Sequence, residues 1–186
     1  MPGTALRAEE AAAADDDAKE ERPIPVWPEV AKAMDANLKE LAIEAVPTGG
    51  SSLPAGAEVD PALWWASSVN NLKLKLGAAL TTLPSDVSRL SGLRTLILSN
   101  NALTSLPDAL GELKQLKVLE AEHNQIATLP ASLGDCKALE NLRLAHNNLT
   151  SLSALESASE LVTLVVDGNK LTSLEDLNVA GKQRLV

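Results

Sequence analysis

Between Leu93 and Leu171 the chain repeats one eleven-residue pattern four times. The blocks Leu93 to Leu103, Leu116 to Ile126, Leu139 to Leu149 and Leu161 to Leu171 superimpose as LxxLxLxxNxL. Their asparagines, Asn101, Asn124, Asn147 and Asn169, lie 23, 23 and 22 residues apart. Four copies at so regular a period rarely arise by chance, and they confine the chain to a fold of stacked units, each touching only its neighbours.

The pattern also dictates how a unit stacks. The leucine at the fourth position and the residue at the sixth, Leu98, Ala121, Leu144 or Val166, point to one face of a short strand, and the residues between them point to the other. No unit can bury its apolar face alone. A parallel sheet of successive strands, about 4.7–4.9 Å apart, buries a continuous ladder of leucines. Where each strand ends, an asparagine offers amide donors and a carbonyl acceptor to backbone groups that the turn leaves unpaired. Asn101, Asn124, Asn147 and Asn169 are therefore assigned a structural role.

The second half of each unit reads Leu83-Pro84 with Val87 and Leu90, Leu106-Pro107 with Leu110 and Leu113, and Leu129-Pro130 with Leu133 and Cys136. Steps of three predict a helical or 3-10 turn on the outer side, with proline at its start. Cys136 takes the place of Leu90 and Leu113, which predicts a buried thiol, whereas a catalytic cysteine needs an exposed, electropositive setting. A weaker copy runs through Leu72, Leu74, Leu76 and Leu80, one residue shorter and with Ala78 or Ala79 where asparagine is expected. In the last unit Ser153 and then Glu175 replace proline, and Ala180 to Val186 supply no evident polar cap. The last repeat is expected to be frayed, covered by a partner or continued by further residues.

Upstream, Val30, Met34, Leu38 and Leu41 recur at steps of four, four and three, with Glu29, Lys32, Asp35 and Lys39 between them. That spacing predicts an amphipathic helix with Pro28 in its first turn. It runs into a short strand around Leu41-Ala42-Ile43 before Thr48-Gly49-Gly50-Ser51-Ser52 breaks the chain. Met1 to Arg22 hold seven acidic and three basic residues and no apolar run, too little apolar surface to repay the entropy of ordering. The expected organisation is a disordered acidic, Ala-rich tail over 1–22, an N-terminal cap with an amphipathic helix and loop over 23–71, and a repeat array over 72–186, one degenerate and four recognisable repeats.

These repeats resemble the leucine-rich-repeat family of the typical intracellular, 23-residue kind, over about Leu72 to Leu177. The resemblance implies an α/β repeat: a right-handed solenoid with a parallel concave sheet inside and helical or 3-10 convex turns outside. Trp27-Pro28-Glu29-Val30-Ala31-Lys32-Ala33, Leu38-Lys39-Glu40-Leu41 and Asp60-Pro61-Ala62-Leu63 further resemble the start of proteins of the leucine-rich repeat-containing protein forty-seven type. Those carry a C-terminal domain similar to a tRNA-synthetase beta-subunit module, which implies a link to translation or RNA. No segment here corresponds to that domain.

Charge and composition narrow the function. Sixteen Lys and Arg against 25 Asp and Glu leave a formal charge of −9, which disfavours duplex nucleic acid unless a local basic stripe overrides the net field. A lone cysteine and the absence of an apolar leader point to a cytoplasmic protein, and no apolar run is long enough to span a membrane. There is no GxSxG, phosphate-binding glycine loop, HExxH or paired-cysteine pattern, so neither an enzyme, a cofactor, a metal nor a small-molecule substrate is expected.

The candidate site is instead the concave face. It comprises the third, fifth and seventh positions with the second and eighth beside them: Arg94, Thr95, Ile97 and Ser99; Lys117, Val118, Glu120, Glu122 and His123; Glu140, Asn141, Arg143 and His146; Val165 and Asp167. Any one of these charges is more often a solvated surface residue than a ligand contact. Together, mixed charges around Ile97, Val118 and Val165 suit a protein or ribonucleoprotein partner better than a single-strand nucleic-acid platform. His123 and His146 share the eighth position of adjacent units, but two imidazoles and a loose carboxylate make a poor ligand set. The expectation is a non-enzymatic binding scaffold, or else the repeat module of a translation- or RNA-associated protein.

Overall fold

The computed structural model describes residues 22–44, 59–172 and 184–185. Residues 1–21 of the expected tail, the glycine-serine break at 48–52 and residues 173–183 lie outside the described residues.

One seven-stranded parallel sheet organises the molecule, its strands in chain order: β1 (Glu40–Glu44), β2 (Asn71–Lys75), β3 (Thr95–Ile97), β4 (Val118–Glu120), β5 (Asn141–Arg143), β6 (Thr163–Val165) and β7 (Arg184–Leu185). The register is continuous, so that Leu41, Leu72, Leu96, Leu119, Leu142 and Leu164 lie side by side. All six are buried, and the flanking residues of each strand are more exposed. This is the alternation that a half-buried strand requires. Between strands the chain crosses the opposite side in 3-10 turns at Pro61–Trp65, Ser85–Arg89, Asp108–Glu112, Ala131–Asp135 and Ser153–Leu155. Pro84, Pro107 and Pro130 stand at the entrance of three of them, where no amide is needed. The turn at Ser153, where proline is missing, is three residues long rather than five. Leu63, Val87, Leu110 and Leu133 on the turns and Leu72, Leu96, Leu119 and Leu142 on the strands close one core without a single Phe or Tyr. The result is a solenoid of the expected class.

Cys136 is part of that core. Its sulfur lies 3.1 Å from the Leu110 carbonyl, and burial pushes the thiol above its ordinary value, so it behaves as a small hydrophobe.

Two local expectations are corrected. The first helix, α1 (Pro28–Asp35), stops short of Leu38 and Leu41. Asn37 adopts a left-handed φ of 51° and the Leu38 amide bonds back to the Ala33 carbonyl, a helix-ending motif in which asparagine stands for the commoner glycine. Leu41 is thereby freed to enter β1. Second, the degenerate repeat is displaced from the alignment read above: Leu72 pairs with Leu96, and Gly77, with φ of 59°, bridges to Asn101. Gly77 thus occupies the asparagine position, and this loop is one residue longer, not shorter, before Leu80, whose carbonyl accepts the Ala102 amide. At the C-terminal end, Arg184 and Leu185 pair in register with Thr163 and Leu164.

A residue outside the repeat pattern fastens the N-terminal end. Asp60, 2% exposed, accepts the Ala62 amide with one carboxylate oxygen and the Val26 and Trp27 amides with the other. One carboxylate therefore caps the first 3-10 turn and pins the start of α1 against it.

Candidate functional site

The side of the sheet away from the core is the open face, and β1 to β6 assemble it residue by residue. In register, Glu40, Asn71, Thr95, Val118, Asn141 and Thr163 form one column, and Ala42, Lys73, Ile97, Glu120, Arg143 and Val165 the next. Ser99, Glu122, Ala145 and Asp167 continue beyond the strand ends, while Arg94, Lys117 and Glu140 precede them.

The structure brings many of these groups together across strands. Lys117 reaches Glu140 at 2.7 Å, and Arg143 lies 3.9 Å from Glu120 and 3.8 Å from Glu122. The Ser99 hydroxyl accepts the Glu122 amide at 3.2 Å. Such exposed ion pairs contribute about 0–1 kcal/mol each. They order the face more than they stabilise the fold. Ile97, Val118 and Val165 are half-buried in the sheet surface, and Val162 beside the last is half exposed. Arg94 is exposed and makes no ion pair among the described residues.

The eighth-position residues do something periodicity could not reveal. Asn100, His123 and His146 have φ of 63°, 54° and 55°, and Gly168 follows at 67°. A column of left-handed residues thus ends the strands. The rings of His123 and His146 stack at 4.5 Å with planes 14° apart, and His146 lies 3.9 Å from Asp167. Ring nitrogens of two parallel imidazoles direct their lone pairs within parallel planes, so the stack cannot converge on one ion. No group of three potential metal ligands occurs among the described residues.

Asn101, Asn124, Asn147 and Asn169 form the second ladder. Asn124 accepts the Leu103 amide and donates to the Leu98 and Ala121 carbonyls; Asn147 repeats this with Ile126, Ala121 and Leu144, and Asn169 with Leu149, Leu144 and Val166. Asn101 keeps the donor half, to Leu74 and Leu98, but accepts from Leu76 because the preceding loop differs.

The open-face residues not anticipated from sequence are Glu40, Ala42 and Glu44 of β1 and Asn71, Lys73 and Lys75 of β2. The signal was the alternation Leu72-Lys73-Leu74-Lys75-Leu76. Among the described residues no helix is long and apolar enough to cross a membrane.

Comparison with known proteins agrees with this geometry. Residues 67–126 match the family model for leucine rich repeat. A leucine-rich-repeat protein of Leptospira interrogans is similar at 30% identity, over 63% of this chain and 30% of that one, with a TM-score of 0.56. Two internalins of Listeria monocytogenes are similar in structure. Internalin C2 is 23% identical over 80% of this chain and 61% of its own, with a TM-score of 0.62. The internalin inlF is 26% identical over 61% and 32%, with a TM-score of 0.54. The chain therefore spans less than two thirds of each of these structures. No curated protein matches it significantly.

Proposed function

We propose that this leucine-rich-repeat solenoid is a non-enzymatic scaffold that binds a macromolecular partner, a protein or a ribonucleoprotein, through the open face of its sheet in the cytoplasm. One observation carries the reading. The face is an unbroken array of side chains over six strands, in which aliphatic residues are interspersed with charges of both signs, the mixture that suits a protein contact. The contacts are carried by Arg94, Thr95, Ile97 and Ser99 on and beside β3, Lys117, Val118, Glu120 and Glu122 on and beside β4, Asn141 and Arg143 on β5, and Val165 and Asp167 on and just past β6, with Glu140 and the two histidines at the rim. Neither a cofactor nor a small-molecule substrate has a part in it.

The test is site-specific photocrosslinking in an extract of the source organism, with the reactive group placed at Val165 on the open face or at Glu112 on the opposite side. Discrete adducts from Val165 and none from Glu112 are expected; adducts from Glu112 alone would refute the open-face reading. Mass spectrometry of the adducts also addresses the alternative, a repeat module of a translation- or RNA-associated protein, which rests on the N-terminal motif. Ribosomal or translation proteins, lost on nuclease treatment, would favour it.

A further inference from the structure

The open face is electrostatically divided, and its N-terminal part has a character of its own. On β4 to β6 the cations Lys117 and Arg143 are both paired, with Glu140 and with Glu120 and Glu122. On and beside β2 and β3 the charged open positions are all cations, Lys73, Lys75 and Arg94. Of the β1 carboxylates, Glu40 takes the Asn71 amide, while Glu44 pairs with Lys73 and lies opposite Lys75 in register. Arg94 has Asn70 on one side and a second cation, Lys117, on the other; like charges on neighbouring strands are destabilising. Folding does not call for that arrangement. Between Arg94 and Lys75 sits Ile97, level with Lys73 and diagonal to Val118.

We propose that Lys73, Lys75 and Arg94, together with Ile97 and Val118, form a docking subsite for an extended acidic segment of a protein partner, with an aliphatic side chain between two carboxylates. The inference rests on the open-face reading and narrows it. Lys75 falls level with Ser99, two residues beyond the pairing of Lys73 with Ile97, so Arg94 and Lys75 are five residues apart along the strand. That is about 17 Å; in an extended segment alternate side chains share a face, so carboxylates four residues apart, about 13 Å, face both cations together, and the length of the Lys75 and Arg94 side chains spans the remainder.

Glu44 demonstrates the chemistry. It is the chain's own carboxylate seated on Lys73, and the hydrogen bond and charge of Lys73, with Lys75 behind it, hold its carboxyl below the ordinary value. Both side chains of the pair are over 40% exposed, at 42% and 46%, so the pair contributes little and an incoming carboxylate can displace it. Nucleic acid is the weaker fit, because no aromatic side chain stands on the open positions of β1 to β6 to stack a base.

The experiment uses the full chain and fluorescence anisotropy at low ionic strength. The probe is a labelled peptide, Glu-Ser-Leu-Ser-Glu, whose two carboxylates and leucine share one face when extended, compared with a version carrying lysines for the glutamates, a version with serine for the leucine, and oligouridine as competitor. The glutamate peptide should bind at least about tenfold more tightly than the lysine peptide, and Lys75→Glu with Arg94→Glu should remove that preference. Glu44→Gln, which vacates Lys73, should strengthen binding by up to about fivefold. This gain cannot come from misfolding. Equal binding of the two charged peptides, or more effective binding of oligouridine, overturns the proposal. If Arg143→Glu with Val165→Asp abolishes binding and Lys75→Glu with Arg94→Glu does not, the subsite is wrong but the open-face reading stands. If neither pair matters, both fall.

Discussion

Asn124 shows how much one side chain carries. It is 9% exposed and joins Leu103, Leu98 and Ala121 across two repeats. Asn124→Ala should leave the buried Leu103 amide unpaired and take one of two donors from the Leu98 and Ala121 carbonyls, which Asn101 and Asn147 still bond, and lower the stability in urea denaturation by roughly 1–3 kcal/mol. Asn169→Ala, at a half-buried position, should cost distinctly less. The structural role of both was legible in the spacing of the repeats. The role of Gly168 was not. Its φ of 67° disfavours other residues, and a Cβ there would fall 2.5 Å from the His146 Nδ1. Gly168→Ala should destabilise by about 1–2 kcal/mol. Part of that should be recovered when His146→Ala is added, which a double-mutant cycle in denaturant measures. The column from Asn100 to Gly168 was hidden because three residue types share one backbone conformation, and no periodicity in hydropathy reports φ.

At the scale of elements, the strands and proline-led turns follow from period, but their exact limits follow from local backbone chemistry. The pattern of Val30, Met34, Leu38 and Leu41 reads as one helix. Asn37 divides it, sending the first part to the outer layer and Leu41 to the sheet. The signal was present, an asparagine just past the helix, but apolar spacing outweighed it. Packing between successive turns is tighter than hydropathy indicates. A Cβ on Gly111 would lie 2.6 Å from the Ser132 carbonyl oxygen in the next turn, and backbone cannot yield as a side-chain tip can. Gly111→Ala should therefore separate the turns Asp108–Glu112 and Ala131–Asp135 and lower the melting midpoint, at a cost of about 1–3 kcal/mol. An unchanged midpoint in thermal denaturation would show that the layers relax freely.

Across the whole molecule, each repeat is supported only by its neighbours, so stability should grade from the middle of the array to its end. β4 lies between full strands on both sides, whereas β6 has the two-residue β7 as its outer neighbour, and Val166 is half-buried where Leu98, Ala121 and Leu144 are fully so. Amide exchange by mass spectrometry should accordingly be slowest in β3 to β5 and several-fold faster in β6. Uniform protection would mean that the array opens only as one unit. The solenoid, its parallel strands, the asparagine ladder, the buried Cys136 and the open face of β3 to β6 are legible in the amino-acid order, because each is written in a period that a stack of identical units must honour. Tertiary structure alone decided the Asp60 clasp between segments more than thirty residues apart, the true register of the first repeat, and the concentration of Lys73, Lys75 and Arg94 on the N-terminal part of the open face. Of the three cations only Lys73 and Lys75 adjoin Glu44, Arg94 lying farther along the face; all this depends on which strand lies next to which and at what level, and pairing across space leaves no period along the chain.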